Sequence, residues 1–264
     1  MRIVRISVQG KIKYGVLEDD VIRSFRGNPF PRSGGRGSFF VPDGNSYKLS
    51  EVKLLAPCLP TKIVCLGLNY RRHIEEIKEE TKLTAPSAPL IFLKPSTAVI
   101  GPDDKIILPP PPRHVDYEGE LAIVIGKKAK DVPEDQAREY VLGYTCLNDV
   151  SERIAQNSDG QWTRGKGHDT FAPLGPCIET EVIPGDLKIE TYLNGKLCQS
   201  ARTSDLIFKV LYLVSYISKA MTLLPGDIIA TGTPEGIGEM HPGDVVEVKI
   251  ENIGILRNFV VEQS

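Results

Sequence analysis

Asp116-Tyr117-Glu118-Gly119-Glu120-Leu121-Ala122-Ile123-Val124-Ile125-Gly126 is the stretch on which the reading of this chain turns. Leu121 to Ile125 is apolar and rich in β-branched residues, the pattern of a buried strand. Two carboxylates two residues apart on one strand point to the same face, roughly 6–7 Å apart along the backbone. Facing carboxylates repel unless protons or a cation compensate them, and burial makes leaving both bare costly. A divalent metal resolves that conflict, which makes the chain an enzyme candidate.

The 264 residues suit one large domain with an appendage, or two domains. With 41% hydrophobic and 25% charged residues the composition is that of a globular protein. A net charge of −2 and a pI near 6.1 give no broad electrostatic case for nucleic acid or an anionic membrane as partner. The start, Met1-Arg2-Ile3-Val4-Arg5-Ile6, is too interrupted for a signal peptide. Residues 206–221, the longest apolar segment, contain Lys209 and Lys219 and fall short of a bilayer span. A cytoplasmic protein is the expectation. The five cysteines (Cys58, Cys65, Cys146, Cys177 and Cys198) are odd in number and lack Cys-x-x-Cys spacing, so neither a disulfide framework nor a zinc site is indicated.

Residues 1–57 read as a small β-rich unit and 58–264 as the catalytic one, with Pro57-Cys58-Leu59-Pro60 at the boundary. Val4 to Val8 and Lys13 to Leu17 alternate as strands around the turn Gln9-Gly10-Lys11. Residues 26–46 hold Gly27, Pro29, Pro31, Gly34, Gly35, Gly37, Pro42 and Gly44 and read as loop. Lys62 to Gly67 opens the second unit as a buried strand. Residues 70–80 have a helical pattern with Ile74 and Ile77 as apolar spots, and residues 133–140 suit a short helix with Pro at its opening. A longer helix is expected through Met221, capped by Ser204 or Asp205, with Leu206, Val210, Leu213, Val214 and Ile217 as its stripe. Lys188 to Leu193, Val245 to Ile250, Asp227 to Ala230 and the segment ending at Asn148 read as strands. Pro-Gly-Asp at 184–186, 225–227 and 242–244 fits type II turns. Strands outnumber helices without regular alternation, which argues against Rossmann and barrel folds. No Gly-x-Gly-x-x-Gly or Walker sequence is present.

Asp149 follows the strand Tyr144-Thr145-Cys146-Leu147-Asn148 and is a third carboxylate that could share a cation with Glu118 and Glu120. An all-oxygen set selects a hard ion, Mg2+ first, with Mn2+ or Ca2+ as alternatives. Spacing leaves a second reading standing, with Glu118 at a solvated strand edge and Glu120 and Asp149 in ordinary ion pairs. His73 and Glu76, at i and i+3, are neighbours on a helix surface. A carboxylate beside an imidazole builds a general base, yet Arg72 and Glu76 at i and i+4 equally describe a solvated charged face. Lys94 and Lys166 can each offer a cation to a carboxylate or enolate. The Gly-rich segment Thr231 to Gly238 can present amides and hydroxyls to an anion, or be a tight turn. His114, His241 and Trp162 carry no pattern of their own.

The ordered set Asn69-Tyr70…His73…Glu76, Phe92-Leu93-Lys94-Pro95-Ser96, Tyr117-Glu118-Gly119-Glu120-Leu121-Ala122, Asn148-Asp149, Phe171-Ala172-Pro173-Leu174-Gly175-Pro176 and Thr231-Gly232-Thr233-Pro234 resembles the fumarylacetoacetate hydrolase family. The likeness is to its acylpyruvase, oxaloacetate decarboxylase and hydroxyheptadienedioate isomerase branch, from about residue 57 onward. It implies an α+β, mainly β fold: a mixed β-sandwich or β-roll catalytic domain, commonly dimeric, here with a small N-terminal β-rich domain. It also implies that Glu118, Glu120 and Asp149 ligate Mg2+ or Mn2+, and that His73 with Glu76 activates water from a lid segment. Arg153, Gln156, Lys166 and Thr233 correspond to residues that hold the substrate's carboxylate and oxo groups, and Lys94 to a lysine near the metal. His168 departs from the apolar or small residue usual there, so the wall beside Lys166 is expected to differ in polarity.

The expected function is metal-dependent C–C cleavage, by hydrolysis or decarboxylation, of a small oxo acid such as an acylpyruvate, oxaloacetate or a hydroxydienedioate through a metal-bound enolate. Isomerisation of a 2-hydroxydienedioate and non-catalytic oxo-acid binding are the alternatives.

Overall fold

The computed structural model describes residues 1–30, 40–81, 84–111 and 113–263, with 77–81 in backbone only. Its largest sheet runs, from one edge to the other, through Val41–Lys48, Val21–Arg26, Lys11–Glu18, Arg2–Val8, Ala172–Glu179, Val141–Asn148, Gly119–Ile125, Ile228–Ala230, Ile63–Gly67 and Leu90–Lys94. A second sheet orders Lys196–Arg202, Lys188–Leu193, Val245–Ile250, Gly254–Glu262 and Lys105–Leu108. Neighbours are mostly antiparallel, with parallel exceptions such as Ile228–Ala230 against Ile63–Gly67. The first four strands of the chain extend the large sheet through Ile3 opposite Ile178.

Gly119–Ile125 is buried at all seven positions and sits between Val141–Asn148 and Ile228–Ala230. Leu121, Ile123 and Ile125 pack with Ile189, Val248, Ile250 and Leu256 of the second sheet and with Leu213, Val214 and Ile217 of a helix. Ala122 and Val124 face the other way, toward Ile3, Phe25, Phe30 and Ile178. Each large apolar side chain buried here contributes roughly 1.5–3 kcal/mol, so this strand anchors both faces. The mainly β sandwich expected from the sequence is the fold observed.

Several elements differ from expectation. Glu118 is outside the strand: Val115–Tyr117 belongs to a separate three-stranded sheet, and the ladder resumes at Gly119. Side chains fill the gap, Asn148 Oδ1 accepting from Glu118 N at 2.8 Å and Gln199 Oε1 from Gly119 N at 2.9 Å. The long helix begins at Val210 rather than 205 and runs to Ala220. Asn69 Oδ1 captures the Phe208 amide at 2.7 Å, and Ile207 N bonds Asn69 O at 2.9 Å, so 206–208 is held out of the helix. Leu206 is nevertheless buried in the same core. Residues 41–46, within the stretch expected as loop, fall in the edge strand Val41–Lys48, where Pro42 sits opposite Phe25 and an edge position tolerates its missing N–H. Pro31, Gly34, Gly35 and Gly37 lie outside the described residues, as does the Ile77 side chain. Glu134–Tyr140 is a 3-10 helix following Pro133. Gly226 and Gly243 take the positive φ of a type II turn, whereas Gly185 does not. No helix among the described residues is long and apolar enough to cross a membrane.

Candidate functional site

Glu118, Glu120 and Asp149 converge, each offering a carboxylate oxygen within 4.8 Å of the others, all buried. Gly119 makes the convergence feasible: a Cβ there would collide with the Thr191 hydroxyl. Asp149 is held by its amide, which donates to Glu118 O at 2.8 Å.

Two buried lysines and the half-buried Arg153 surround the triad. Lys166 Nζ donates to Glu118 Oε2 and Asp149 Oδ2, both at 2.8 Å. Lys94 Nζ donates to Asp149 Oδ1 at 2.6 Å and Val150 O at 3.0 Å. Arg153 Nη2 lies 2.7 Å from Glu118 Oε1, and its Nε donates to Asp116 Oδ2 at 2.6 Å. The ion-pair reading from the sequence therefore holds for Asp149 alone: Glu118, read there as solvated, is buried and paired, and Glu120 has no ion pair among the described residues. Burial pushes the Glu118 carboxyl up, but Lys166 and Arg153 outweigh it and hold it below the usual carboxylate range. Burial pushes the Lys166 ammonium down, and Asp149 and Glu118 more than reverse that.

Glu120 is different. Its Oε2 accepts from Gly232 N at 2.7 Å, while its Oε1 is buried without a partner among the described residues. Burial, then Asp149 and Glu118, push its carboxyl well above the usual range. The anion that the Thr231–Gly232 loop serves is thus the chain's own Glu120. A buried bare carboxylate oxygen beside two further carboxylates fits a hard divalent cation, which the all-oxygen donor set would hold.

His73 stands on the helix Arg71–Thr81, which follows the strand Ile63–Gly67 directly. Asn69 pins the junction by donating to Thr231 O at 2.7 Å. His73 is buried, with Nδ1 3.1 Å from Glu76 Oε2, and Glu76 Oε1 accepts from Gly236 N at 2.9 Å. The solvated-face reading of this pair is thereby replaced by a docked one. His73, Glu118, Arg153, Gln156, Lys166 and Thr233 line one cleft of about 580 Å³. Glu120, Asp149 and Lys94 lie behind its wall.

Glu152 caps the helix Arg153–Ser158, accepting from Ile154 N and Ala155 N, and so aims Arg153 and Gln156, which bond at 2.8 Å. Arg153 pairs with Asp116, Glu118 and Gln156, its Nη2 near Glu118 but without a hydrogen-bond partner among the described residues, so here it braces the triad as well as facing the cleft. Thr233 Oγ1 donates to Gly119 O at 3.1 Å and accepts from Gln199 at 2.8 Å. His168, expected in the wall beside Lys166, is absent from the residues lining this cleft; its ring packs 5.0 Å from Phe171.

Sequence reasoning missed Gln199, Asp116, His114 and Trp162. His114 Nε2 lies 2.7 Å from Asp116 Oδ1, and both line the cleft. Their i, i+2 spacing beside Glu118 was the available signal. Gln199 is 80 residues from Gly119, and nothing local marks it.

Residues 62–261 match the fumarylacetoacetate (FAA) hydrolase C-terminal family, and residues 1–57 the Rv2993c-like N-terminal family. The structure of 2-hydroxyhepta-2,4-diene-1,7-dioate isomerase from Mycobacterium marinum is 45% identical, with a TM-score of 0.90 and 100% of this chain and 99% of that one covered. Maleylpyruvate hydrolase from Sphingobium sp. SYK-6, solved with manganese(II) and pyruvate, is 32% identical, with a TM-score of 0.82 and 100% of both chains covered. Mitochondrial oxaloacetate tautomerase Fahd2a of Rattus norvegicus is 42% identical, over 80% of this chain and 70% of that protein. With its buried acidic triad, its sandwich and a match spanning most of its length, the chain belongs to the fumarylacetoacetate hydrolase family.

Proposed function

We propose that this enzyme moves a proton on the carbon beside the oxo group of a small 2-oxo acid, in a keto–enol tautomerisation or its vinylogous isomerisation. His73 carries the reading, as a carboxylate-backed imidazole lining the same cleft as Glu118 and Lys166. With the Nδ1 hydrogen given to Glu76, Nε2 is the nitrogen free to take the proton. Lys166 and Arg153 offer positive charge to the oxygen on which negative charge develops. Gln156 and Thr233 line the cleft as further contacts for the carboxylate. A divalent cation held by Glu118, Glu120 and Asp149, with Mg2+ the first choice and Mn2+ or Ca2+ the alternatives, would polarise the 2-oxo and carboxylate oxygens.

Proton transfer is preferred to C–C cleavage because the relatives bearing isomerase and tautomerase names stand at 45% and 42% identity, against 32% for the hydrolase. Hydrolysis is the second reading, favoured by the full-length match to maleylpyruvate hydrolase, with His73 Nε2 then deprotonating a water. The test is turnover of oxaloacetate enol, a 2-hydroxydienedioate, acetylpyruvate and maleylpyruvate in Mg2+, with and without EDTA. Faster proton transfer than cleavage, lost with EDTA, is the expected result. Binding without turnover across the panel would leave a non-catalytic oxo-acid binder instead.

A further inference from the structure

The cleft is lined by both charged and apolar side chains. Leu66, Leu68, Phe92, Trp162 and Ile237 make the apolar part. Phe92 comes from the edge strand, opposite Cys65, and Trp162 from the turn entering the short helix Thr163–Lys166. Trp162 meets Phe92 edge to face, with ring centres 5.2 Å apart at 71°. It backs directly onto Gly67, where a Cβ would lie 2.5 Å from the indole ring. The indole therefore rests on bare backbone and is fixed from two sides. Lys166 Nζ stands 5.1 Å from the centre of the Phe92 ring, so the aromatic wall starts at the charged end of the site.

We propose that Phe92 and Trp162 select 2-oxo acids whose tail is flat and apolar, conjugated or aryl, over compact four-carbon dianions. This rests on the reading that the cleft takes 2-oxo acids. With the 2-oxo carboxylate end near Lys166, the next atoms of the substrate run along Phe92 and Trp162. A second carboxylate placed directly against those rings loses water without gaining a partner. A planar tail instead buries apolar area and meets the rings in stacked or edge-on geometry. At about 580 Å³ the cleft has the size of sites that enclose larger ligands than a four-carbon acid.

Oxamate, N-methyloxamate and N-phenyloxamate are non-reacting mimics that share the 2-oxo carboxylate and differ in the tail. Calorimetric titration in saturating Mg2+, with emission from Trp162, the single tryptophan of the chain, reads both affinity and contact. N-phenyloxamate is expected to bind about ten-fold tighter than oxamate and to perturb Trp162 emission most. Trp162→Leu and Phe92→Leu should each loosen N-phenyloxamate about five-fold more than oxamate. Equal affinities in the unaltered protein, or equal losses for both mimics in both variants, overturn the aromatic selection alone. Failure of all three mimics to bind removes the 2-oxo acid reading itself, and the selection with it.

Discussion

Glu120→Gln has opposite expected effects with and without metal. In chelator, Glu120 is a buried carboxyl whose Oε1 has no partner and whose neighbours Asp149 and Glu118 repel its charge. Folding then favours its protonated form, whereas the unfolded chain releases that proton above its ordinary value of 4.5. Because the folded form binds more protons, stability of the metal-free protein falls as pH rises from about 4.5. At 1.36 kcal/mol per pH unit the cost at pH 7 is bounded at about 3 kcal/mol. Gln has the same shape and no charge, keeps an oxygen for Gly232 N, and turns its amide toward Glu118 and Asp149. In EDTA at pH 7 the variant should therefore melt higher by up to about 6 °C, and at pH 5 by less than about 2 °C. With Mg2+ at a hundred times its Kd the unaltered protein gains about 2.7 kcal/mol, while the variant, short of one ligand, gains little. Thermal melts at the two pH values, with EDTA and with Mg2+, check this. Lower stability of Glu120→Gln in EDTA at pH 7, or equal Mg2+ stabilisation of both proteins, would refute the argument.

His73→Gln should lower kcat by about 10²–10⁴ with KM changed only a few-fold; a raised KM at unchanged kcat would make His73 a binding residue alone. Lys166→Met strips Glu118 and Asp149 of their shared cation and should destabilise the protein in EDTA by about 3–5 kcal/mol, with partial recovery in Mg2+. A loss under about 1 kcal/mol, read from urea melts, would contradict the electrostatic balance drawn above. Gly119→Ala drives a methyl into the Thr191 hydroxyl and should cost about 1–3 kcal/mol. Adding Thr191→Ala should recover part of it, and purely additive losses in that double-mutant cycle would place the strain elsewhere.

The strands were legible where apolar periodicity decides their placement. Lys188–Leu193 and Val245–Ile250 form with the bounds their sequence suggests, and Gly119–Ile125 declares its burial through an unbroken apolar run. Failures occur where a distant side chain overrides local preference. Ser204, Asp205 and the apolar stripe after them describe a plausible helix start. Asn69, some 140 residues earlier, takes the Phe208 amide and delays it. The edge strand Val41–Lys48 carries Pro42 and Gly44, which read as loop because nothing local shows that Val21–Arg26 will pair with it.

The site was legible in its carboxylates and illegible in its balance. Spacing picked out Glu118 and Glu120 as neighbouring carboxylates on an apolar strand, with Asp149 joining them only if its own strand lay close, and the family resemblance tied the three together. Which cation compensates which carboxylate depends on Lys94, Lys166 and Arg153 arriving from three separate segments. Their arrival is uneven: Glu118 and Asp149 are each paired with two of the cations, while Glu120 receives one backbone amide. A site built only for ion pairing would distribute its cations among all three carboxylates, since each bare buried charge costs several kcal/mol. Leaving Glu120 Oε1 bare, behind the wall of a cleft lined by a carboxylate-backed histidine, is an arrangement that a fourth positive charge would stabilise, and on the function proposed above that charge would also serve the reaction.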